Sequence, residues 1–270
     1  MPNHPTERFA IALADIRASA PLIHNIANIV VTNVTANALL ALGASPAMVE
    51  NTEEVTELAA IAGALVVNLG TISPAWAAAM RLAVQSAYQA GTPWVLDPVA
   101  VGALGYRTRL AGDLLESHPT VIRGNASEIM ALAGMAAGGK GVDSLLPSDA
   151  AITAAKELAL RYGSVVSVSG AVDYVTDGAR VVGIENGHAI MTRVTGMGCT
   201  ASAVTGAYLA VLEDPFEAAI AAMVTMGVAG DIVMGGEGAS PIGSGTFQVA
   251  FLDALYHLDG NQLCSQARLV

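Results

Sequence analysis

Val194-Thr195-Gly196-Met197-Gly198-Cys199 places two glycines and a thiol directly before the apolar run Thr200 to Leu212. The order reads as the end of a strand, a glycine turn and the start of a helix. Gly196 and Gly198 allow a tight turn and a close approach of backbone to a ligand. The first N–H groups of a helix have no partner inside it. Together with the helix dipole they favour an anion, phosphate above all. A thiol at that positive end ionises more easily, so Cys199 is a candidate reactive group, beside its reading as a small buried hydrophobe. The chemistry expected here is chemistry on a phosphate.

The chain around this stretch has 270 residues, enough for a full hydrophobic core and for one large α/β domain or two small ones. Hydrophobic residues make up 53% and charged residues 13%. The excess is mostly alanine, valine and glycine, which suits closely packed helices and a sheet covered on both faces. A net charge of −11 without a basic run argues against nucleic-acid binding. Any polyanion such as ATP would need local donors and a metal to overcome that field. Cys199 and Cys264 have no metal-type spacing and do not form a disulfide framework. Met1 to Ala20 lacks a signal-peptide core, since Glu7, Arg8, Asp15 and Arg17 interrupt it. No apolar run is expected to reach the roughly 18 residues of a membrane span. These features predict a soluble cytoplasmic protein.

The elements that must position the glycine turn follow a β/α rhythm. Glu7 to Ala18 has helical periodicity, broken at Pro21. Leu22 to Asn28 reads as a loop, Thr32 to Leu42 as a helix ended by Gly43, and Pro46 to Val49 as a short strand. Asn51 or Thr52 should cap the next helix, with Glu53 and Glu54 in its first turn. Strands are expected at Ala64 to Leu69, Trp94 to Leu96, Thr120 to Ile122 and Val165 to Val168. The helices between them are Ala75 to Ala90, Leu110 to Ser117, Ser127 to Ala133 and Asp149 to Tyr162, the last capped by Ser148. Tyr174 to Thr176 and Arg180 to Ile184 form a hairpin around Asp177-Gly178. Ile190 to Val194 leads into the glycine turn, and Thr200 to Leu212, Pro215 to Met234 and Thr246 to Leu258 are helical. The pattern predicts a single α/β domain over 1–270, a mainly parallel sheet with helices on both faces. Ligands of such sheets sit beyond the carboxyl ends of the strands. Those ends carry Asn68, Asp97, Arg123 with Asn125, and Ser169.

Two motif matches carry little weight. Gly134 to Gly141 nearly fits a P-loop, but lacks the Ser or Thr after Lys140 and follows a helix. Gly196-Met-Gly198-Cys-Thr-Ala201 fits a dinucleotide fingerprint, yet Glu213-Asp214 are followed by Pro215 and a helix rather than closing a second strand. A nicotinamide enzyme is the alternative this leaves open. Asp97 before Pro98 is either a turn residue or a magnesium ligand through water. Glu128 is either a first-turn helix carboxylate or a ligand of the same metal. Arg123, directly after a buried strand, suits a phosphate better than solvent. Met48 alone reads as core filler.

Longer blocks resemble the hydroxyethylthiazole kinases, thiazole-salvage enzymes of the ribokinase-like superfamily. They are Pro21-Leu-Ile-His-Asn-Ile-Ala-Asn28, Thr35-Ala-Asn37, Leu39 to Met48, Asn68-Leu-Gly-Thr71, Leu96-Asp-Pro-Val99, Tyr106-Arg-Thr108, Ile122 to Ile129, Lys140 to Ser144, Val194 to Cys199 and Gly245-Thr-Phe-Gln-Val249. The resemblance implies a ribokinase-like fold and ATP-dependent phosphorylation of the hydroxyl of 5-(2-hydroxyethyl)-4-methylthiazole in thiamine biosynthesis. It implies that Arg123 and Ser169 contact ATP, Asp97 and Glu128 hold Mg2+, and Met48 and Gly196 contact the thiazole. Gly196, Met197, Gly198 and Cys199 would form the anion hole, with Cys199 the catalytic residue where superfamily relatives carry aspartate. It further implies a homotrimer with active sites at subunit interfaces. Ala27, Ala100, Leu104 and Ser169 depart from the residues usual at their positions, Ser169 keeping a hydroxyl. A ribokinase-like kinase of another vitamin-type alcohol, such as hydroxymethylpyrimidine, and a nucleotide-binding protein with a decayed site are the competing readings.

Overall fold

The computed structural model describes residues 5–134, 148–235 and 242–270. The chain runs α1 (Pro5–Ser19), β1 (Leu22–Ile26), α2 (Thr32–Leu42), β2 (Ser45–Met48), α3 (Val55–Ile61), β3 (Ala64–Asn68), α4 (Pro74–Ala90), β4 (Trp94–Asp97), α5 (Gly105–Leu115), β5 (Val121–Asn125) and α6 (Ala126–Leu132). After a 3-10 turn at Ser148–Ala151 come α7 (Ile152–Tyr162), β6 (Val165–Ser169), β7 (Asp173–Thr176) and β8 (Val181–Ile184). A second 3-10 turn, Ala189–Arg193, precedes α8 (Met197–Leu209), α9 (Pro215–Met234), α10 (Ser244–His257) and α11 (Gly260–Gln266). The P-loop-like stretch, the Lys140–Ser144 block and most of the glycine-rich loops expected at 134–147 and 235–245 lie outside the described residues.

The strands form one sheet in the order β2-β1-β3-β4-β5-β6-β7-β8. β2 to β6 are parallel, and β7 and β8 add an antiparallel hairpin at one edge. Successive side chains of a strand point to opposite faces, and two cores result. Ile23, Ala64, Val66, Val95, Val121 and Val165 pack with residues of α1, α2 and α8 to α11. Ile26, Leu65, Val67, Leu96, Ile122 and Val166 pack with residues of α3 to α7. Both faces are therefore covered, as expected of a parallel sheet.

The same alternation positions the site. Asn68, Asp97 and Arg123 each lie two residues beyond a residue of the α8 face, namely Val66, Val95 and Val121. Ser169 lies four beyond Val165. All four sit at the carboxyl ends of adjacent strands on that one face, with Asn68 opposite Asp97 and Asn125 opposite Ser169. α8 crosses that face closely because Gly206 has no side chain. A Cβ there would lie 2.7 Å from Val66 Cγ2 and 3.3 Å from Ile23 Cγ2.

Several expected boundaries shift. Leu22–Ile26 is a central strand, not a loop: His24 and Asn25 are polar but buried. Asn51 caps a turn through Glu53 N, and α3 starts only at Val55. Ser148 donates to Val172 O instead of capping, so a 3-10 turn precedes α7. α5 begins at Gly105, and α11 was not expected. Residues 190–194 form no strand: the free edge of β8 is taken by the C-terminus, with Ile184 bridged to Leu269 and Gly183 bonded both ways to Val270. Among the described residues α9 alone is long and apolar enough to span a membrane, against expectation. It is a core helix, with 78% of its apolar window buried inside the protein.

Gly206→Ala is expected to lower unfolding free energy by about 1–3 kcal/mol, since the added methyl has to displace Val66 in a packed interior. Denaturant unfolding measures it, and an unchanged midpoint would show that α8 has room to move.

Candidate active site

Asp97 ends β4 and is 2% exposed. Its Oδ2 accepts from Asn68 Nδ2 at 2.6 Å and from Ser202 Oγ of α8 at 2.8 Å. Asn68 Oδ1 in turn accepts from Asn28 Nδ2 at 2.8 Å and from Gly70 N at 2.9 Å. Asn28 Nδ2 also reaches Cys199 Sγ at 3.6 Å. The result is a buried polar chain running from the end of β1 to the first turns of α8. Burial pushes Asp97 above the usual carboxylate range, while Arg123, Ser202, Asn68 and Cys199 pull it back.

Arg123, 7% exposed, points from β5 to the start of α8. A Cβ on Gly198 would lie 2.7 Å from its Nη1, so only glycine lets the guanidinium rest against that helix start. Its Nε is buried and has no hydrogen-bond partner among the described residues. Such an orphaned donor beside helix N–H groups suits an anion that supplies the acceptors. Gly196 caps α8 in the left-handed region at φ 85°, and a side chain there would strike Val31 and Val34. α8 starts at Met197, earlier than the expected Thr200. Met197, Gly198 and Cys199 are therefore its first three residues, the ones whose N–H groups lack helical partners.

Glu128, 5% exposed, occupies the third position of α6. Its Oε2 accepts from Asn125 N at 3.0 Å in a capping box, and its Oε1 accepts from Ala100 N at 2.9 Å. It ties the loop after Asp97 to the end of β5. Burial, and then the neighbouring Asp97 charge, push it up to about 7. The cap and metal readings of Glu128 are thus compatible: each oxygen accepts one N–H and keeps a second lone pair.

Cys199 behaves opposite to expectation. Burial, followed by the charge of Asp97, pushes its thiol up to about 12, against weaker help from Asn68, Arg123 and Asn28. The helix start does not ionise it, because loss of water and then the Asp97 charge outweigh it. Ser169 ends β6, and its Oγ makes only a long contact, 3.4 Å to Gly124 O. Met48 is half-buried, more wall than core. It lines a cleft of about 400 Å³ with Val49, Glu50, Thr52 and Trp76, and an adjoining one of about 340 Å³ with Asn25, Ile29 and Thr32. Gly196 and Cys199 line neither, so the Met48 cleft stands beside the Asp97–Arg123 cluster rather than over it.

Asp97, Arg123, Glu128, Gly198 and Cys199 are brought together as expected. The sequence reading missed Ser202, which falls on the Gly198 face of α8 by its i, i+4 spacing, and Asn28 as a member of the cluster. It also missed Trp76, set by the Ser73 cap in the first turn of α4. Among the described residues no group of three or more His, Cys, Asp and Glu could by itself hold a metal ion.

With its thiol pushed up, Cys199 is expected to react with iodoacetamide at pH 8 at least about a hundredfold more slowly than a free cysteine. The rate should keep rising with pH through 10, because only the thiolate reacts. Peptide mapping of the native protein reads this, and labelling at the free-thiol rate would show an activated thiolate instead.

A model of the hydroxyethylthiazole kinase family matches residues 13–261. A hydroxyethylthiazole kinase of Granulibacter bethesdensis is 59% identical over 265 residues, 98% of this chain and 95% of the relative. The solved hydroxyethylthiazole kinase structure of Pyrococcus horikoshii superposes with a TM-score of 0.88 at 40% identity, covering 98% of each chain. A Staphylococcus aureus pyridoxal kinase structure shares the ribokinase-like fold alone, with a TM-score of 0.58 at 18% identity over 77% of this chain and 86% of that one. The chain belongs to the hydroxyethylthiazole kinase family.

Proposed function

We propose that the chain transfers the γ-phosphoryl group of ATP to the hydroxyl of 5-(2-hydroxyethyl)-4-methylthiazole, giving its phosphate and ADP in thiamine salvage. The observation that carries this reading is Arg123 lying against Gly198, its Nε unpartnered, at the first N–H groups of α8. Phosphoryl transfer needs positioning and charge stabilisation more than covalent chemistry. A buried guanidinium and a helix start aimed at one place supply both.

Asp97 and Glu128 are the groups to hold Mg2+. Two carboxylates whose proton affinity burial raises, with the Asp97 charge adding to it at Glu128, favour a cation beside them. Magnesium takes one or two carboxylates and fills its shell with water and phosphate oxygens. When bound, it would neutralise charge on the transferring phosphates. Ser169, with its hydroxyl uncommitted, and Arg123 are assigned to ATP. Met48 and Trp76 offer the thioether and aromatic walls that suit the thiazole ring. Gly196 to Cys199 would form the anion hole.

The acceptor hydroxyl attacks the γ-phosphorus in line as the bond to the ADP oxygen breaks, and its proton leaves late in a loose transition state. Cys199, held as the thiol, positions that hydroxyl. Asp97, whose proton affinity burial raises, is a better proton acceptor than that thiol.

A homotrimer with active sites at subunit interfaces fits the open Met48 cleft, whose lip exposes Ile29 at 72%, with Val30 next to it at 58%. The net charge of −11 fits a protein without nucleic-acid partners, and we assign it to the cytoplasm, with no membrane partner.

Magnesium- and ATP-dependent ADP release is expected with hydroxyethylthiazole, and not with hydroxymethylpyrimidine or pyridoxal. Turnover with either rival would keep the reaction and move the substrate; no turnover with any acceptor, from protein that binds ATP, would mean a decayed site. Cys199→Ala should lower kcat by no more than about tenfold, whereas loss of a true general base costs roughly 10²–10⁴. A loss in that larger range, with both substrates still bound, would make the thiol the base.

A further inference from the structure

β6 and β7 are joined by a three-residue turn, Gly170 to Val172, that is pinned from two sides. On one side Gly170 packs against Ser148, where a Cβ would lie 2.6 Å from the Ser148 side chain. Ser148 Oγ also donates to Val172 O. On the other side Asp173, the first residue of β7, accepts from Gly170 N at 2.8 Å through Oδ1. Asp173 is also one of three carboxylates, with Asp97 and Glu128, that the Arg123 guanidinium attracts. The turn so held presents Ser169, whose hydroxyl has only the long contact to Gly124 O.

A rigid turn carrying an uncommitted hydroxyl, next to a guanidinium with an unpartnered Nε, is a preorganised arrangement. Its ordering entropy is spent on folding and not on binding. We propose that Asp173 is a positioning residue for the nucleotide, fixing Ser169 and Gly170 in place through its hydrogen bond to Gly170 N. This rests on the assignment of Ser169 and Arg123 to ATP. Asp173 itself makes no contact with phosphate, and as an acid it would repel one. Its effect reaches the nucleotide only through Ser169 and Gly170, and the acceptor cleft around Met48 shares no residue with it.

The experiment is calorimetric titration of Mg-ADP into wild type, Asp173→Ala and Asp173→Asn, with KM for ATP, KM for the thiazole and kcat measured on each. Asp173→Ala is expected to weaken Mg-ADP and raise KM for ATP by about tenfold, the scale of one lost hydrogen bond to an ordered turn. KM for the thiazole and kcat at saturating ATP should stay within about twofold. Asp173→Asn keeps an oxygen for Gly170 N and should return ADP affinity to within about threefold of wild type. If Asp173→Ala does not fold, Asp173→Glu takes its place: the extra methylene moves the carboxylate off Gly170 N, and the same nucleotide-selective loss is expected. Unchanged ADP affinity in the folded variant overturns the proposal. So does a parallel loss of both substrate affinities with a fall in Tm, which marks a purely structural residue. Wild type that binds acceptor but no Mg-ADP overturns the nucleotide assignment, and this inference with it.

Discussion

A carboxylate buried at the end of β4 is the constraint around which this site is built. Asp97 has lost nearly all its water, and an unpaired charge in that position would be expelled as a neutral acid or would unfold its surroundings. Asn68 and Ser202 each give it a hydrogen bond, and Arg123 gives it a counter-charge. They come from three elements: β3, α8 and β5. Holding one ion therefore fixes the register of three strands and the axial position of a helix. Gly206 permits the close crossing that lets Ser202 reach Oδ2, and Gly198 permits the approach that lets Arg123 lie against α8. Removing either space would move the helix start away from the charge it balances.

The same ion decides the character of Cys199. Two fields act on the thiol. The start of α8 favours a thiolate, by an amount that at helix ends is usually about 0.3–1 kcal/mol and at most about 2. Desolvation and the Asp97 charge disfavour it, and they win, since the thiol is pushed up to about 12. A cysteine at a helix N-terminus is thus not made a thiolate where loss of water and a neighbouring acid outweigh the helix. Here the helix start is left to act on something other than the thiol, beside the Arg123 guanidinium that lies against Gly198.

This competition also explains what was legible in the sequence. Elements fixed by local chemistry were readable: α2 ends at Gly43, which adopts φ 109°, and α9 starts at Pro215 behind the Asp214 cap, both at the expected residues. The strand ends were readable as well, because apolar runs broken by Asn68, Asp97 and Arg123 mark where a parallel sheet opens to a ligand. Elements fixed by tertiary contact were not. β1 carries His24 and Asn25, which look like loop residues but are buried in the middle of the sheet, His24 bonded to Val49 O. Residues 190–194 have a strand-like composition, yet the edge they would have joined is occupied by Leu269 and Val270 from the far end of the chain. In the site, residue types were legible and protonation was not. A motif shows that a thiol follows two glycines, but the carboxylate that sets its charge state lies about a hundred positions away, in β4.

Charge also explains why the cluster stays in this form in an acidic protein. Asp97, Glu128 and Asp173 all act on one guanidinium, and burial raises the proton affinity of all three. A triphosphate entering alone would meet an excess of like charge, on top of the net −11 of the chain. The arrangement selects a ligand that arrives with its own cation. It also separates two regions: Asp97, Glu128 and Asp173 act on Arg123, while the Met48–Trp76 cleft is a space of about 400 Å³. A neutral aromatic alcohol gains from the second region and is indifferent to the first. On the proposed assignment a nucleotide–metal pair has the reverse preferences, so electrostatics would direct two dissimilar substrates to different regions before any specific contact is made.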